Sequence, residues 1–349
     1  MPELLEGKAP HNLLSKICKK TGYHHASIVH GPFPGFDVGT LDLAKVTKDI
    51  QEYYEIESTP YLTYKADPIT FPTSDPARSL IIVNQNDLAT AGSKGYAMTI
   101  TMLFPLGTKE NDVLKIQKNL DETAKNHKIT ILGGHSEVTS TVKRVVLSGS
   151  FIGFVPPEYY IGRNAKPGDK IICSGWIGAE GTGIILEEGK KSLEPVLSKR
   201  DILRGREIGR DISITNRVLL LNKKFHNDIS MIHDITEGGF TAAIYESLSP
   251  LGLGAEICEE MLPISPITDK ICESLEVDPI SLIGSGAVLV FTKPKNIDNI
   301  IRTLEKSNKP AKIIGEVTGD PEIYLGDQTS GMPRRDSIVK ALRNICETS

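Results

Sequence analysis

The chain has little of what marks several classes of protein. No apolar run in its 349 residues approaches the roughly 18 residues that a membrane-spanning helix needs. It also has no basic excess, because 40 lysines and arginines stand against 44 acidic residues and the formal net charge is −4. Surfaces that bind nucleic acid or membranes are typically basic, so the composition favours neither partner.

Cysteine is scarce as well. The five cysteines are odd in number and widely scattered, at positions 18, 173, 258, 272 and 346. This argues against a disulfide framework and against a zinc site, and it fits a reducing compartment. The first residues show no basic segment followed by an apolar one, so a signal peptide is not expected. The sequence therefore predicts a cytoplasmic protein.

The length predicts two domains. Turn residues cluster over residues 155–169, so we expect an N-terminal domain over 1–157 and a C-terminal domain over 165–349. In the first domain the patterns predict a buried strand over 80–83, an alternating strand over 96–104, a helix over 111–127 and strands over 129–132 and 145–151. In the second they predict strands over 170–173, 287–291 and 312–317. Strands and helices alternate without a strict βαβ rhythm, which favours a mixed α+β fold.

Residues 233–239, His-Asp-Ile-Thr-Glu-Gly-Gly, form the most informative local motif. An apolar pair precedes them and a helical pattern follows, so Asp234 or Thr236 is expected to cap that helix. Gly238 and Gly239 would let backbone amides approach a ligand closely, and a helix N-terminus attracts phosphate or carboxylate. An acidic turn that merely starts a helix explains the same residues equally well.

Further acidic and amide residues lie at predicted strand ends or in glycine-rich loops: Asp37, Asp67, Asn86, Asp87 and Glu137. Their oxygens are hard ligands, which suit Mg²⁺ held by one or two carboxylates and substrate phosphates. A single aspartate of this kind is usually a turn or cap residue. Several around one domain favour a site at which the fold brings them together.

Five motifs in a fixed order carry a family resemblance. They are residues 31–39, 67–70, 86–92, 133–137 and 233–239. This order resembles the superfamily of aminoimidazole ribonucleotide synthetase (PurM), which includes the HypE hydrogenase-maturation proteins, the selenophosphate synthetases and thiamine-monophosphate kinase. The resemblance implies a PurM-like two-domain architecture. In it the N-terminal sheet forms a dimeric β-barrel, the C-terminal domain is α/β, and ATP and Mg²⁺ bind near the interface of a homodimer.

The resemblance also implies roles for individual residues. As Mg²⁺ ligands it implies Asp37, Asp67 and Asp87. As residues that bind the nucleotide or its phosphates it implies Asp37, Asn86, Asp87, Gly133, Gly134, His233, Asp234, Gly238 and Gly239. As catalytic residues it implies His135 and Glu137. The shared chemistry is attack on an ATP phosphoryl group, with Mg²⁺ and positive dipoles offsetting the charge that builds on its oxygens.

Within the superfamily the motifs most resemble those of HypE, with departures. HypE ends in a reactive cysteine, whereas Cys346 lies three residues before the end of this chain. Glu137 stands where HypE has lysine, and Ser285 where it has glutamate. Three hypotheses follow. The first is a Mg²⁺-ATP-dependent enzyme that phosphorylates an amide, carbonyl or similar acceptor, either a small molecule or carrier-bound. The second is a HypE-like hydrogenase-maturation factor acting on its own Cys346, and the third is a non-catalytic nucleotide-responsive partner in a maturation complex.

Overall fold

The computed structural model describes residues 3–189, 193 and 195–348. Its contacts divide the chain into two compact units, one of residues 1–89 with 93–160 and the other of residues 90–92 with 161–349. Both units mix helices with sheet, as the α+β prediction expects. None of the helices in the described part of the chain is long and apolar enough to cross a bilayer.

The first unit is built on an open five-stranded sheet. Its helices are α1 (His11–Ile17), α2 (Leu43–Tyr54), α3 (Pro76–Thr90) and α4 (Glu110–Asn126). Its strands are β1 (Gly7–Lys8), β2 (Ile28–His30), β3 (Thr40–Leu41), β4 (Tyr61–Ile69), β5 (Lys94–Phe104), β6 (Thr130–Val138) and β7 (Val146–Val155). The sheet order is β1-β6-β5-β7-β4, and β2 pairs separately with β3. The long strand β4 is therefore an edge strand.

Strand β5 shows why alternation predicted this sheet well. Met98, Ile100, Met102 and Phe104 are buried in one core with residues of α3 and α4, whereas Thr99 between them is exposed. Successive side chains of a strand point to opposite faces, so one polar and one apolar row result. The predicted strand over 96–104 and the predicted helix over 111–127 are both confirmed.

Two local predictions in this unit are wrong. The apolar run over 80–83, predicted as a strand, lies inside α3. This helix is buried on most of its surface, and a short apolar run does not distinguish a buried helix from a buried strand. The glycine-rich stretch over 133–137, expected as a loop after the predicted strand over 129–132, continues β6 without a turn. Position 134 requires glycine, because the Cβ of any other residue would lie 1.9 Å from the carbonyl oxygen of Ile100 on the paired strand.

The second unit is built on a seven-stranded mixed sheet. Its strands are β8 (Lys170–Ser174), β9 (Ile229–Ile235), β10 (Gly254–Ile257), β11 (Ala287–Thr292), β12 (Ala311–Thr318), β13 (Ile323–Leu325) and β14 (Gln328–Ser330), in the order β14-β13-β10-β12-β8-β11-β9. Its helices are α5 (Ala179–Glu188), α6 (Lys199–Arg210), α7 (Thr215–Phe225), α8 (Gly239–Leu248), α9 (Pro266–Ser274), α10 (Ile297–Glu305) and α11 (Ser337–Thr348). The three strands predicted in this unit are confirmed.

Candidate functional site

In the first unit, a lysine joins two of the predicted metal ligands. The Nζ atom of Lys65 lies 3.0 Å from Oδ2 of Asp67 and 3.1 Å from Oδ2 of Asp87. Lys65 and Asp67 are two residues apart on β4 and so share the face that packs on α3, which carries Asp87. The structure thus brings Asp67 and Asp87 together around one ammonium group.

Asparagine 84 fixes this arrangement. It is fully buried on α3, and its Oδ1 accepts a hydrogen bond of 3.0 Å from the backbone amide of Asp67. The amide of Asn84 in turn donates to the carbonyl of Leu80, one turn earlier in α3. Because β4 is an edge strand, Asp67 can give its N–H to a side chain rather than to another strand. The predicted nucleotide-binding residue Asn86 is also buried on α3.

The electrostatics of the pair require a cation. Asp87 lies in the last turn of α3, where the helix dipole disfavours negative charge. Burial alone would lower the pKa of Lys65, but the carboxylates of Asp87 and Asp67 outweigh it and raise that pKa above its ordinary value. Lys65 is therefore held in its charged form.

Four other predicted residues of the first unit gather around a cavity of about 240 Å³. Asp37, Gly133, Gly134 and His135 all line it. Asp37 is exposed in the loop that precedes β3. The structure therefore groups Asp37 with the glycine-rich stretch of β6.

The two predicted catalytic residues are in contact. His135 and Glu137 are two residues apart on β6, so alternation places both side chains on one face. Nε2 of His135 lies 3.0 Å from Oε2 of Glu137, and both side chains are accessible to solvent. An imidazole beside a carboxylate is a chemically competent proton-transfer pair.

The donor set of the Asp67–Asp87 pair fits Mg²⁺ chemically. Mg²⁺ is usually held by one or two carboxylates and completed by substrate phosphates, and the two carboxylates here approach one cation. Among the residues that the structure describes, no group of three histidine, cysteine or acidic side chains has metal-binding geometry. The predicted three-ligand set of Asp37, Asp67 and Asp87 is therefore not assembled within the described chain.

In the second unit, three glycine-rich turns lie at the same end of the sheet: residues 175–183 after β8, residues 236–239 after β9 and residues 284–286 before β11. Strands β8 and β9 both pair antiparallel with β11, and Val288 lies opposite both Ser174 and Asp234. The carboxyl ends of β8 and β9 and the start of β11 therefore lie side by side at one end of the sheet. The turns are joined by hydrogen bonds from the amide of Gly284 to the carbonyl of Thr236 and from the amide of Gly181 to the carbonyl of Ile283.

The motif over 233–239 is anchored from the far end of the chain. The amide of Gly238 donates to Oδ2 of Asp336 at 2.6 Å, and the amide of Gly239 donates to the carbonyl of Thr236. The predicted cap by Asp234 or Thr236 is wrong, because α8 has Gly238 as its N-cap and no side-chain cap. A carboxylate of the protein itself occupies the position where the sequence predicts an external anion.

Packing also requires glycine in this motif. Gly239 has a φ of +64°, and a Cβ there would lie 2.5 Å from the carbonyl oxygen of Ile280. Alternation along β9 separates the two polar residues before it: His233 faces Glu246 of α8, 3.8 Å away, whereas the buried Asp234 points to the other side of the sheet. The ligand-binding roles of His233, Asp234, Gly238 and Gly239 remain predictions.

Sequence reasoning missed Glu180, in the first turn of α5. It accepts hydrogen bonds from the side chain and the amide of Ser285, while its buried Oε2 atom has no hydrogen-bond partner among the described residues. Burial raises the pKa of Glu180, the bonds from Ser285 oppose this, and the carboxylates of Asp336 and Asp234 raise it further. The signal was present as a glutamate in the glycine-rich stretch that follows β8.

The Glu180→Gln variant is expected to gain thermal stability relative to the wild type as the pH rises from 5 to 8. The pKa of Glu180 in the folded protein lies above its value in the unfolded chain. Its contribution to the free energy of unfolding is therefore complete below the unfolded pKa and is lost as the pH rises through the folded pKa. Glutamine keeps the acceptor oxygen and removes the charge. Calorimetric Tm values at both pH values measure the effect, with the exposed Glu305→Gln as control. A Tm difference independent of pH contradicts it.

Comparisons with known proteins agree with this architecture. Residues 54–155 match the model of the AIR synthase related protein N-terminal domain, and residues 166–328 match that of its C-terminal domain. The chain belongs to the AIR synthase-related family. It is similar to a putative hydrogenase expression/formation protein of Methanocaldococcus jannaschii, 29% identical over 281 residues that cover 78% of this chain and 81% of the relative. It is also similar to the carbamoyl dehydratase HypE of Cupriavidus necator, 26% identical over 75% of this chain and 73% of the relative.

Solved structures share the fold of this AIR synthase-related chain. The crystal structure of E. coli HypE has a TM-score of 0.76 at 19% identity, covering 95% of this chain and 99% of HypE. A chain of the HypE–HypF complex has a TM-score of 0.67 at 22% identity, covering 84% of this chain and 99% of that one. HypE in complex with ATP has a TM-score of 0.64 at 15% identity, covering 85% and 96%. The PurM-like two-domain fold is confirmed.

Proposed function

We propose that the protein is an ATP-dependent enzyme that phosphorylates a small amide, carbonyl or similar acceptor. The observation that carries the proposal is that the carboxylates of Asp67 on β4 and Asp87 on α3 converge on one cation, the ammonium of Lys65. The chain also shares its fold with a HypE whose structure was solved in complex with ATP. Carboxylate oxygens that converge in this way suit the Mg²⁺ that accompanies nucleotide phosphates.

In this proposal the two carboxylates of the first unit, Asp67 and Asp87, hold Mg²⁺. Bound there, the ion supplies positive charge that offsets the charge developing on the phosphoryl oxygens. Asn84 keeps the pair in place through the backbone of Asp67. Asp37, Gly133 and Gly134 line the cavity beside β6 from which the nucleotide is contacted, and Gly133, with open space where a Cβ would lie, leaves room for a close approach.

His135 and Glu137 are the proposed proton-transfer pair. The imidazole takes the proton from the acceptor as the acceptor oxygen attacks the terminal phosphorus of ATP and displaces ADP, and the carboxylate 3.0 Å away stabilises the imidazolium that results. A carboxylate in this position orients a histidine, a role distinct from that of a lysine. The pair therefore suits an acceptor that must lose a proton when it attacks.

We also propose a homodimer formed through the first unit. The face of β4 that points away from α3 exposes large apolar side chains, with Leu62 62% and Tyr64 67% accessible to solvent. Contiguous apolar surface of this kind typically marks a protein interface. In this proposal the exposed face of β4 is buried against a second copy, as in the barrel that the family resemblance implies.

A second candidate function is a HypE-like maturation factor that modifies its own Cys346. Relatives named carbamoyl dehydratase HypE favour it, as does the exposure of Cys346 in the last turn of α11. A structure of HypE with HypF suggests a maturation-complex partner in that case. Against it stand Glu137 and Ser285, which replace the lysine and glutamate of HypE.

One experiment separates the two functions. We expect the wild-type chain to bind a non-hydrolysable ATP analogue with Mg²⁺, with a Kd below about 1 mM by calorimetry, and to turn over ATP when an acceptor is present. The Cys346→Ala variant should keep both properties, because that cysteine takes no part in the first function. Loss of turnover in Cys346→Ala supports the second function. Analogue binding with no phosphate release across an acceptor screen supports a non-catalytic partner instead.

A further inference from the structure

The carboxylate pair of the first unit already holds a cation of the protein itself. The ammonium of Lys65 is within 3.1 Å of carboxylate oxygens of both Asp67 and Asp87. These two carboxylates are the kind of oxygen donors that a divalent ion would take. Two cations cannot occupy one position between the same two oxygens. A metal that binds the Oδ2 atoms of both carboxylates must therefore displace this ammonium.

We propose that Lys65 is a tethered counter-ion that competes with the divalent metal for Asp67 and Asp87 and so sets the metal affinity of the site. Without metal, the ammonium offsets one of the two negative charges and holds the two carboxylates together. When metal binds, the side chain leaves for solvent. This inference rests on the proposed metal site and adds a regulating residue to it.

The surroundings of Lys65 support an exchange of cations. Its side chain is 36% exposed, so the four-carbon stem can swing outward without unpacking the core. The carboxylate of Asp87 is only 17% exposed and lies at the disfavoured end of a helix dipole, so it needs a positive partner at all times. A flexible lysine and an arriving metal can each meet that need.

The geometry also explains why the lysine is bound rather than merely near. It is held by two carboxylates from different elements, one on β4 and one on α3. The other lysine–carboxylate pairs within helices of this unit are mostly exposed single contacts, such as Lys118 with Glu122 at 3.7 Å. Exposed pairs of that kind contribute little. Lys118 is therefore a matched control for removing one positive charge without touching the carboxylate pair.

The test measures binding of Mn²⁺ alone to the full chain, without nucleotide, by calorimetry. We expect Lys65→Met to bind Mn²⁺ at least tenfold more tightly than the wild type, and Lys118→Met to match the wild type. The double variant Lys65→Met/Asp87→Asn should lose the gain. Addition of Mn²⁺ should also raise the Tm of Lys65→Met more than that of the wild type, because the uncompensated pair then regains its cation.

The outcomes distinguish this inference from the proposed function. Equal Mn²⁺ affinity in wild type and Lys65→Met overturns the role of Lys65 and leaves the metal site standing. Absence of Mn²⁺ binding in both overturns the metal site and the inference with it. If Lys65→Met does not fold, Lys65→Gln replaces it, because glutamine removes the charge and still donates a hydrogen bond to one carboxylate. The same tenfold gain is expected from it.

Discussion

Replacing Asp87 with asparagine is expected to lower kcat/KM for ATP by at least about 100-fold, the typical effect of removing one preorganised charge-stabilising group. The substitution keeps the shape of the side chain and its place on α3 but removes its charge. Lys65 would then pair with Asp67 alone, and Mg²⁺ would lose one of its two proposed ligands. The loss should appear in turnover rather than in folding.

The measurement is steady-state ATP turnover at saturating Mg²⁺, accompanied by a thermal melt. Glu122→Gln is the control, since that glutamate is exposed and pairs with a lysine on the same unit. It should leave kcat/KM unchanged. Turnover by Asp87→Asn at the wild-type rate contradicts the proposed position of the nucleotide phosphates. A parallel collapse of the Tm would instead assign Asp87 a structural role.

Periodicity explains which parts of the fold could be predicted from the sequence. Strand β5 alternates between apolar and polar residues, which predicts a strand, and α4 carries an apolar stripe with the helical period, which predicts a helix. Helix α3 could not be predicted in this way. Its surface is buried nearly all round, so no polar stripe marks a helical period, and its apolar start imitates a buried strand.

Contacts between distant residues explain what the sequence leaves out of the candidate site. Asp67 and Asp87 could be predicted as site residues from their motifs, but Lys65 carries no signal of its own. Its importance arises only when β4 lies on α3 and two carboxylates meet its ammonium. Glu180 is similar, because only the meeting of two turns places it against Ser285. These contacts are properties of topology rather than of local pattern.

Asp336 is the clearest case of long-range dependence, because nearly a hundred residues separate it from the motif that it anchors. Its Oδ2 accepts from the amide of Gly238, and its Oδ1 accepts from the amides of Ile283 and Ile338 at 3.2 and 2.7 Å. Burial raises its pKa, against the opposing effect of these three donors. One carboxylate thus connects two glycine-rich turns to the start of α11.

Asp336→Ala is accordingly expected to reduce the free energy of unfolding by roughly 3–5 kcal/mol, because it leaves three backbone amides without their charged acceptor. Asp336→Asn should reduce the free energy of unfolding by less, since its single side-chain oxygen can still accept from the amide of Gly238 or from those of Ile283 and Ile338. Chemical denaturation of the full chain measures both. The control is Asp320→Ala, an exposed aspartate that accepts one backbone hydrogen bond, where a loss below about 1 kcal/mol is expected. Equal losses at positions 336 and 320 would show that the junction tolerates unpaired amides and that the glycine-rich turns hold their positions by packing alone.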